Sequence, residues 1–150
     1  MNRGKTGPRR ATGQRAKLPS SVTGRVSVLD SSALLAILLG ERGGESIIPI
    51  LEGALLSTVN LAEVHTRMIS LGATASHAWA RILNFQCEIC PLTEAQARIA
   101  AELVTATRPF GLSLGDRACL ALAIERKAKV YTTDGAWKSL NLGIAIEVIR

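Results

Sequence analysis

The feature that most constrains the fold of this chain is a regular alternation of short β-rich segments and longer helical segments from residue 26 onward. Strands that alternate with helices pair in parallel, and the helices then cover both faces of the sheet. The sequence therefore predicts an α/β protein with a central, mainly parallel sheet of about five strands. The predicted strands are 26–30, 54–59, 87–92, 129–133 and 144–149, and the predicted helices are 32–39, 46–52, 60–71, 74–85, 93–107 and 113–128.

The length and apolar content fit a single domain without a membrane span. With 150 residues, 47% of them apolar, the chain can form one compact domain and leaves little room for two. Its longest unbroken apolar runs, 33–39 and 118–124, have seven residues each, whereas a membrane-spanning helix needs about 18 or more. Its five aromatic side chains are too few for a module that stacks bases on a sheet face.

The basic charge of the chain is concentrated in residues 1–25. This segment holds seven of the 18 Lys and Arg residues and none of the 12 acids, so 26–150 carries a net charge of −1. A basic nucleic-acid-binding domain is therefore not indicated. We expect 1–25 to be a disordered basic tail, either a solvated extension or an electrostatic arm toward RNA. We expect 26–150 to form the folded domain.

The cysteines and histidines indicate little metal or redox chemistry. Three cysteines, an odd number without a secretory signal, fit a reducing cytoplasmic compartment. Cys87 and Cys90 form a C-x-x-C, but no second pair accompanies them and Pro91 follows directly, which favours a strand over a redox turn. His65 and His77 fall in predicted helices without the spacing of a metal-binding pair.

The acids that follow strands or begin helices carry the functional argument. The chain has only three aspartates: Asp30 and Asp134 each close a predicted strand, and Asp116 begins the helix 113–128. Glu63 is predicted in the first turn of the helix after the second strand. Because the carboxyl ends of parallel strands meet at one edge of the sheet, we expect Asp30, Glu63 and Asp134 to converge there. The position of Asp116 stays open, since two helices separate the third and fourth strands.

Each acid also fits a structural role at the start of a helix or a turn. For each acid considered alone, capping is the favoured interpretation. For all four together, capping would require four unrelated structural roles to fall at one edge of the sheet, which favours a shared site. The structural candidates are Asp30 as a helix cap, Asp134 in an Asp-Gly turn, and the capping-box pairs Asn60 with Glu63 and Ser113 with Asp116.

A cluster of carboxylates is unfavourable without compensation. Two carboxylates about 5 Å apart repel by roughly 3 kcal/mol at an effective dielectric constant of about 20, and several such pairs approach the stability of a small domain. The cluster persists if some groups are protonated, if the groups spread apart, or if they share a cation. Oxygen ligands without His or Cys favour Mg²⁺ or Mn²⁺, and such a site is best suited to phosphodiester hydrolysis.

Four segments, in this order and spacing, resemble the PIN domains, and more narrowly the VapC-type toxins of bacterial toxin–antitoxin pairs. The resemblance extends over residues 26–150. It implies a three-layer α/β/α sandwich and an endoribonuclease that needs Mg²⁺ or Mn²⁺ and cuts structured RNA of the tRNA or rRNA class. The segments are VLDSSALLA from Val28, NLAEV from Asn60, SLGDRACLALA from Ser113 and VYTTD from Val130.

The resemblance also implies roles for the matched acids. By position, Asp30, Glu63, Asp116 and Asp134 correspond to the four acids of the family. It implies that Asp30 and Asp116 are the principal metal ligands, and that Glu63 and Asp134 act on the ion through water.

Three further side chains are candidates beside these acids. Ser32 matches the family's hydroxyl position two residues after the first acid, and Thr133 is a candidate for a supporting hydrogen bond. Backbone capping is an equally good explanation for both hydroxyls. Arg117 is a candidate contact to an RNA phosphate, with a solvated helix charge as the alternative.

The resemblance implies partners as well. VapC-type toxins form homodimers and bind a cognate antitoxin whose C-terminal segment lies across the active-site groove. The apolar helices 32–39 and 46–52 are candidate surfaces for either partner, although packing against the sheet explains them equally well.

Two other classes of function remain open from the residues. One is a receiver-like or phosphatase-like domain in which Asp30 accepts a phosphoryl group, although the second acid of a D-x-D motif and a lysine in the last strand are both missing. The other is a non-catalytic binding module whose acids only cap helices.

Overall fold

A computed structural model describes residues 26–150, and the tail predicted for 1–25 lies outside the described residues. Its strands are β1 (Ser27–Leu29), β2 (Leu55–Ser57), β3 (Glu88–Cys90), β4 (Lys129–Thr132) and β5 (Ile146–Val148). They form one sheet in the order β3-β2-β1-β4-β5, and every neighbouring pair is parallel. The predicted parallel sheet of five strands is confirmed.

Helices connect the strands and flank the sheet. The α-helices of residues 26–150 are α1 (Ser31–Leu38), α2 (Thr58–Ser70), α3 (Ala75–Leu83), α4 (Glu94–Glu102), α5 (Val104–Thr107) and α6 (Leu114–Arg126). Short 3₁₀ helices span Gly44–Ile50, Arg108–Phe110 and Gly135–Ser139. Across this part of the chain, no helix has the length and apolar character needed to cross a membrane.

The sheet separates two hydrophobic cores, because successive residues of a strand point to opposite faces. On one face, Leu29 and Leu56 pack with residues of α1, α2 and α3. On the other face, Val28 and Leu55 pack with residues of α6 and with Trp137. The protein is therefore the three-layer α/β/α sandwich that the sequence predicts.

Two predicted helices differ from the structure. The helix expected over 46–52 is a 3₁₀ helix over Gly44–Ile50 that contains Pro49, whose missing N–H disfavours a regular α-helix. The single helix expected over 93–107 is divided into α4 and α5.

The last three residues of the C-x-x-C segment form β3. Cys87 packs against the core formed by α1, α2 and α3, whereas Cys90, at the end of β3, packs in the core of α6. Both are free thiols. The interpretation of this segment as a strand is confirmed.

The direction of α6 resolves the position of Asp116, which the sequence leaves open. This helix directly precedes β4, and β4 is parallel to β1. A helix that connects into a parallel strand runs antiparallel to it, so α6 begins at the edge where the strands end. Helix α4 lies antiparallel beside α6, since Gln96 bonds to Glu125 and Arg117 to the carbonyl of Ala100.

Candidate active site

Asp30 follows β1 directly and lies at the N-cap position of α1, where it is only 3% exposed. Its side chain makes no capping hydrogen bond. Instead, Oδ2 accepts hydrogen bonds from Ser32 Oγ at 2.7 Å and from Thr132 Oγ1 at 2.9 Å. The other oxygen, Oδ1, is buried and has no hydrogen-bond partner among residues 26–150. A buried acceptor without a donor is unfavourable unless another group satisfies it.

Glu63 lies further into its helix than the sequence predicts. Helix α2 begins at Thr58 because Ser57 caps it, accepting a hydrogen bond from the N–H of Val59. Asn60 is therefore inside the helix, and the predicted capping box with Glu63 is wrong. Oε2 of Glu63 accepts hydrogen bonds from the hydroxyl of Ser31 and from Asn60 Nδ2.

Asp116 is the third residue of α6 and forms a true capping box with Ser113. Its Oδ2 accepts a hydrogen bond from the N–H of Ser113 at 2.8 Å, and its own N–H donates to Ser113 Oγ at 3.2 Å. The predicted capping role is confirmed. These contacts hold the carboxylate at the helix N-terminus, where the helix dipole favours negative charge.

Asp134 also has a structural role. It is exposed, caps the 3₁₀ helix Gly135–Ser139, and accepts a hydrogen bond from the N–H of Ala136 at 3.0 Å. The predicted turn at this position is confirmed.

Burial dominates the electrostatics of Asp30. The pKa of Asp30 is raised from the ordinary 3.8 to about 6, mainly because the carboxyl group is buried and to a smaller degree because of the charge of Asp116. The hydrogen bonds from Ser32 and Thr132 oppose this rise because they stabilise the ionised form. The protein therefore holds a carboxyl group whose charge is poorly compensated.

Asp116 links the other acids electrostatically. Its pKa is raised, first by burial and then by the charges of Glu63 and Asp134, while hydrogen bonds with Ser113 lower it. Because Asp116 also raises the pKa of Asp30, the charge of Asp116 interacts with those of the other three acids at the carboxyl edge of the sheet.

The basic side chains of the described residues do not neutralise these acids. The ion pairs within 26–150 join Arg98 to Glu102, Lys129 to Glu147 and Arg150 to Glu41. Arg117 directs Nη1 to the carbonyl oxygen of Ala100 in α4 at 2.7 Å.

The hydroxyl that supports Asp30 from β4 belongs to Thr132. Thr133, the residue singled out from the sequence, contributes its backbone N–H to Ser32 Oγ at 3.0 Å. The sequence does not single out Ser31 and predicts only a capping role for Asn60, whereas both side chains donate a hydrogen bond to Glu63. Strand alternation could have indicated Thr132, which lies two residues after the buried Val130.

The donor set fits a hard divalent cation. Within 26–150, no three His, Cys, Asp or Glu side chains are arranged to hold a metal ion by themselves. Magnesium is commonly held by one or two carboxylates, with water and substrate phosphates completing its coordination. Asp30, with its unsatisfied buried Oδ1, and Asp116 beside it can supply two such carboxylates.

Solved structures of toxin–antitoxin proteins share this fold. VapC20 from Mycobacterium tuberculosis, a sarcin–ricin loop cleaving toxin, has a TM-score of 0.64 and 16% identity over 79% of this chain and 98% of its own. VapBC-5 from the same organism has a TM-score of 0.55 and 26% identity, covering 85% and 99%. FitAcB from Neisseria gonorrhoeae has a TM-score of 0.60 and 21% identity, covering 81% and 96%.

Sequence comparison gives the same result for the family. No curated protein matches the chain. The model of the PIN domain matches residues 27–141, a range that includes Asp30, Glu63, Asp116 and Asp134. The resemblance drawn from the sequence is confirmed, and the chain belongs to the PIN domain family.

Proposed function

We propose that the protein is a metal-dependent endoribonuclease and the toxin of a VapBC-type toxin–antitoxin pair. The observation that carries the proposal is the buried, unsatisfied Oδ1 of Asp30 within a cluster of acids at the carboxyl edge of a PIN-domain sheet. A similar fold in a toxin that cleaves the sarcin–ricin loop supports RNA as the substrate, of the rRNA or tRNA class.

In this proposal two of the acids bind the metal ion directly and the other two act on it through water. Asp30 and Asp116 hold a Mg²⁺ or Mn²⁺ ion, and Glu63 and Asp134 act through water. When bound, such an ion neutralises charge on the scissile phosphate and makes a nearby water more acidic. The hydrolysis breaks a phosphodiester bond of RNA.

The side chains around Asp30 prepare it for this role. Ser32 and Thr132 both donate to Oδ2, which fixes the carboxylate and leaves Oδ1 available. Donors that stabilise the ionised form favour cation binding, because a metal ligand must be deprotonated. The backbone N–H of Ser113 donates to Oδ2 of Asp116 and holds this carboxylate at the start of α6.

Two predicted contacts remain part of the proposal. Arg117 would meet an RNA phosphate only after leaving the carbonyl of Ala100, which it now contacts. Thr133 would act through its backbone N–H, which donates to Ser32.

We also propose a cognate antitoxin and a homodimer as partners. Structures of similar fold include toxin–antitoxin complexes from Klebsiella pneumoniae and Rickettsia felis, the latter bound to a DNA fragment of its own promoter. Ile48, on the 3₁₀ helix of the predicted partner surface, is 58% exposed and is available for such a contact.

Cleavage of total cellular RNA tests the enzymatic part of the proposal. The full-length protein should cut RNA with Mg²⁺ or Mn²⁺ and stop when EDTA is added. Asp30→Asn and Asp116→Asn should each abolish cleavage, whereas Glu102→Gln, an exposed acid paired with Arg98, should not. Undiminished cleavage by both aspartate variants would exclude this site.

A binding module whose acids only cap helices is the second candidate. The hydrogen bonds that Asp116 accepts from the N–H of Ser113 and Asp134 accepts from the N–H of Ala136 favour it, since both acids already have structural roles. This alternative predicts no specific Mn²⁺ binding, so a calorimetric titration separates it from the nuclease. Membership of the PIN family weighs against the third possibility, a phosphoryl-accepting domain.

A further inference from the structure

Asn60 is a fully buried amide inside helix α2. Its Nδ2 lies 3.0 Å from Glu63 Oε2, 3.1 Å from Ser31 Oγ and 3.1 Å from the carbonyl oxygen of Gly115. Asparagine is a poor residue for the interior of a helix, and a buried amide needs partners. The two hydrogens of Nδ2 are shared among three acceptors on different segments, whereas Oδ1 accepts no hydrogen bond within residues 26–150. The contacts of Nδ2 therefore set the position of this side chain.

The three contacts belong to three segments that carry acids. Ser31 directly follows Asp30, and Gly115 directly precedes Asp116. The remaining partner is the carboxylate of Glu63 itself. One amide group therefore connects the first residue of α1, the helix α2 and the first turn of α6.

The packing around this amide is tight. A Cβ atom at Gly115 would lie 1.9 Å from Oε1 of Glu63, so the carboxylate rests directly against the backbone of α6. The hydroxyl of Ser31 also donates to Glu63 Oε2. The contacts leave little freedom in how far α1, α2 and α6 lie from one another.

A neutral donor has an advantage at this position. A lysine or arginine would also hold the carboxylate of Glu63, but it would cancel negative charge that a cation needs. The amide of Asn60 donates hydrogen bonds without changing the net charge of the acid cluster.

We propose that Asn60 is a positioning residue that sets the spacing of Asp30, Glu63 and Asp116 and thereby the affinity of the cluster for Mn²⁺ or Mg²⁺. The inference rests on the proposed function for its metal-binding consequence. Its geometric part, the coupling of three acids through one amide, depends only on the contacts of the folded chain.

The test compares full-length Asn60→Ala with a matched control, Gln96→Ala. Gln96 is a buried amide that donates to Glu125 in α6 and makes no hydrogen bond to Asp30, Glu63 or Asp116. The readouts are the ¹³C carboxyl shifts of metal-free protein and the affinity for Mn²⁺ by calorimetry. Asn60→Ala should move the carboxyl signals of all three acids and weaken Mn²⁺ binding by about 10- to 100-fold, as is usual for groups that orient ligands.

Gln96→Ala should lower Tm without either effect, so a merely structural role for Asn60 would give the same pattern as the control. If Asn60→Ala does not fold, Ser31→Ala removes one of the three partners and should move the signals of Asp30 and Glu63 and weaken Mn²⁺ binding to a smaller degree. Unchanged shifts, or Mn²⁺ affinity equal to that of Gln96→Ala, overturn the inference. If the wild type itself binds no Mn²⁺, the proposed function fails, and the carboxyl shifts alone decide the role of Asn60.

Discussion

Thr132 donates a hydrogen bond from Oγ1 to Oδ2 of Asp30 at 2.9 Å, across 102 positions of sequence. The contact follows from the register of the central strands, because Leu29 of β1 pairs with Tyr131 of β4. Asp30 and Thr132, which follow these two residues, therefore lie side by side. The adjacent ends of β1 and β4 thus position the carboxylate of Asp30.

Replacing Thr132 with valine tests this relationship, because valine keeps the shape of the side chain and removes the donor. A hydrogen bond to a charged group contributes about 1.5–3 kcal/mol. We expect Thr132→Val to lose about that much free energy of unfolding at neutral pH, measured by urea denaturation in EDTA. The pKa of Asp30 should rise further, since this bond lowers it, and Mn²⁺ binding should weaken.

Thr133→Val is the comparison for this experiment, since it leaves the backbone N–H that contacts Ser32 in place. We expect it to change Mn²⁺ affinity less than Thr132→Val. Equal effects of the two variants would show that the hydroxyl of Thr132 has no special part in holding Asp30.

The raised pKa of Asp30 predicts how stability depends on pH in metal-free protein. Its pKa is about 6 in the folded state against an ordinary 3.8, so the folded state binds this proton more tightly. The contribution of Asp30 is then fully present below about pH 4 and is lost as pH rises through about 6. The loss approaches about 3 kcal/mol, because one pKa unit corresponds to about 1.4 kcal/mol.

Denaturation of wild type and Asp30→Asn in EDTA measures this loss. The variant cannot ionise at position 30, so its stability should fall less between about pH 4 and pH 7. Titrating groups that do not interact with Asp30 cancel in the difference between the two proteins. Parallel pH profiles would mean that Asp30 has an ordinary pKa and is less confined than the structure indicates.

Much of the fold is predictable from local patterns in this chain. Strand segments such as Val130 and its neighbours are rich in β-branched residues, and helices such as α6 begin at recognisable caps like Ser113. The helix over Gly44–Ile50 is less predictable, because Pro49 and tertiary packing decide its geometry. Strand order and the direction of α6 were open because they depend on contacts distant in sequence.

The acids of the site are easier to predict than the residues whose hydrogen bonds position them. Asp30 and Asp134 are marked by strand ends, and Asp116 by its capping box. The hydrogen bonds of Asn60 to Ser31 and Gly115 join positions 29 and 55 residues apart. Such contacts depend on how helices pack, and no local pattern in the sequence encodes them.

Divalent cations should stabilise the folded protein if the acids share an ion. A ligand that binds only the folded state at 100 times its Kd adds about 2.7 kcal/mol. We therefore expect Mn²⁺ to raise the Tm of the wild type, and to raise that of Asp116→Asn much less. Differential scanning fluorimetry with Mn²⁺ and with EDTA measures both. Equal shifts in the two proteins would place the stabilising ion elsewhere.

Gly115 has no room for a side chain beside Glu63. A Cβ atom there would lie 1.9 Å from Oε1 of Glu63, the end of a flexible side chain that can move aside. Alanine favours a helix over glycine by about 1 kcal/mol, so Gly115→Ala should fold. In this variant the carboxylate of Glu63 should be displaced from Ser31 and Asn60. RNA cleavage should then fall by about 10- to 100-fold, the usual effect of losing a contact that orients a metal ligand.

Gly135→Ala is the matched control, because a Cβ atom at Gly135 meets no atom within 4 Å. It also lies at the sheet edge, directly after Asp134, yet it leaves the contacts of Glu63 intact. We expect the two variants to have similar Tm values and only Gly115→Ala to lose cleavage, measured on the same RNA. Full activity of a folded Gly115→Ala would mean that the position of Glu63 against α6 does not matter for the reaction.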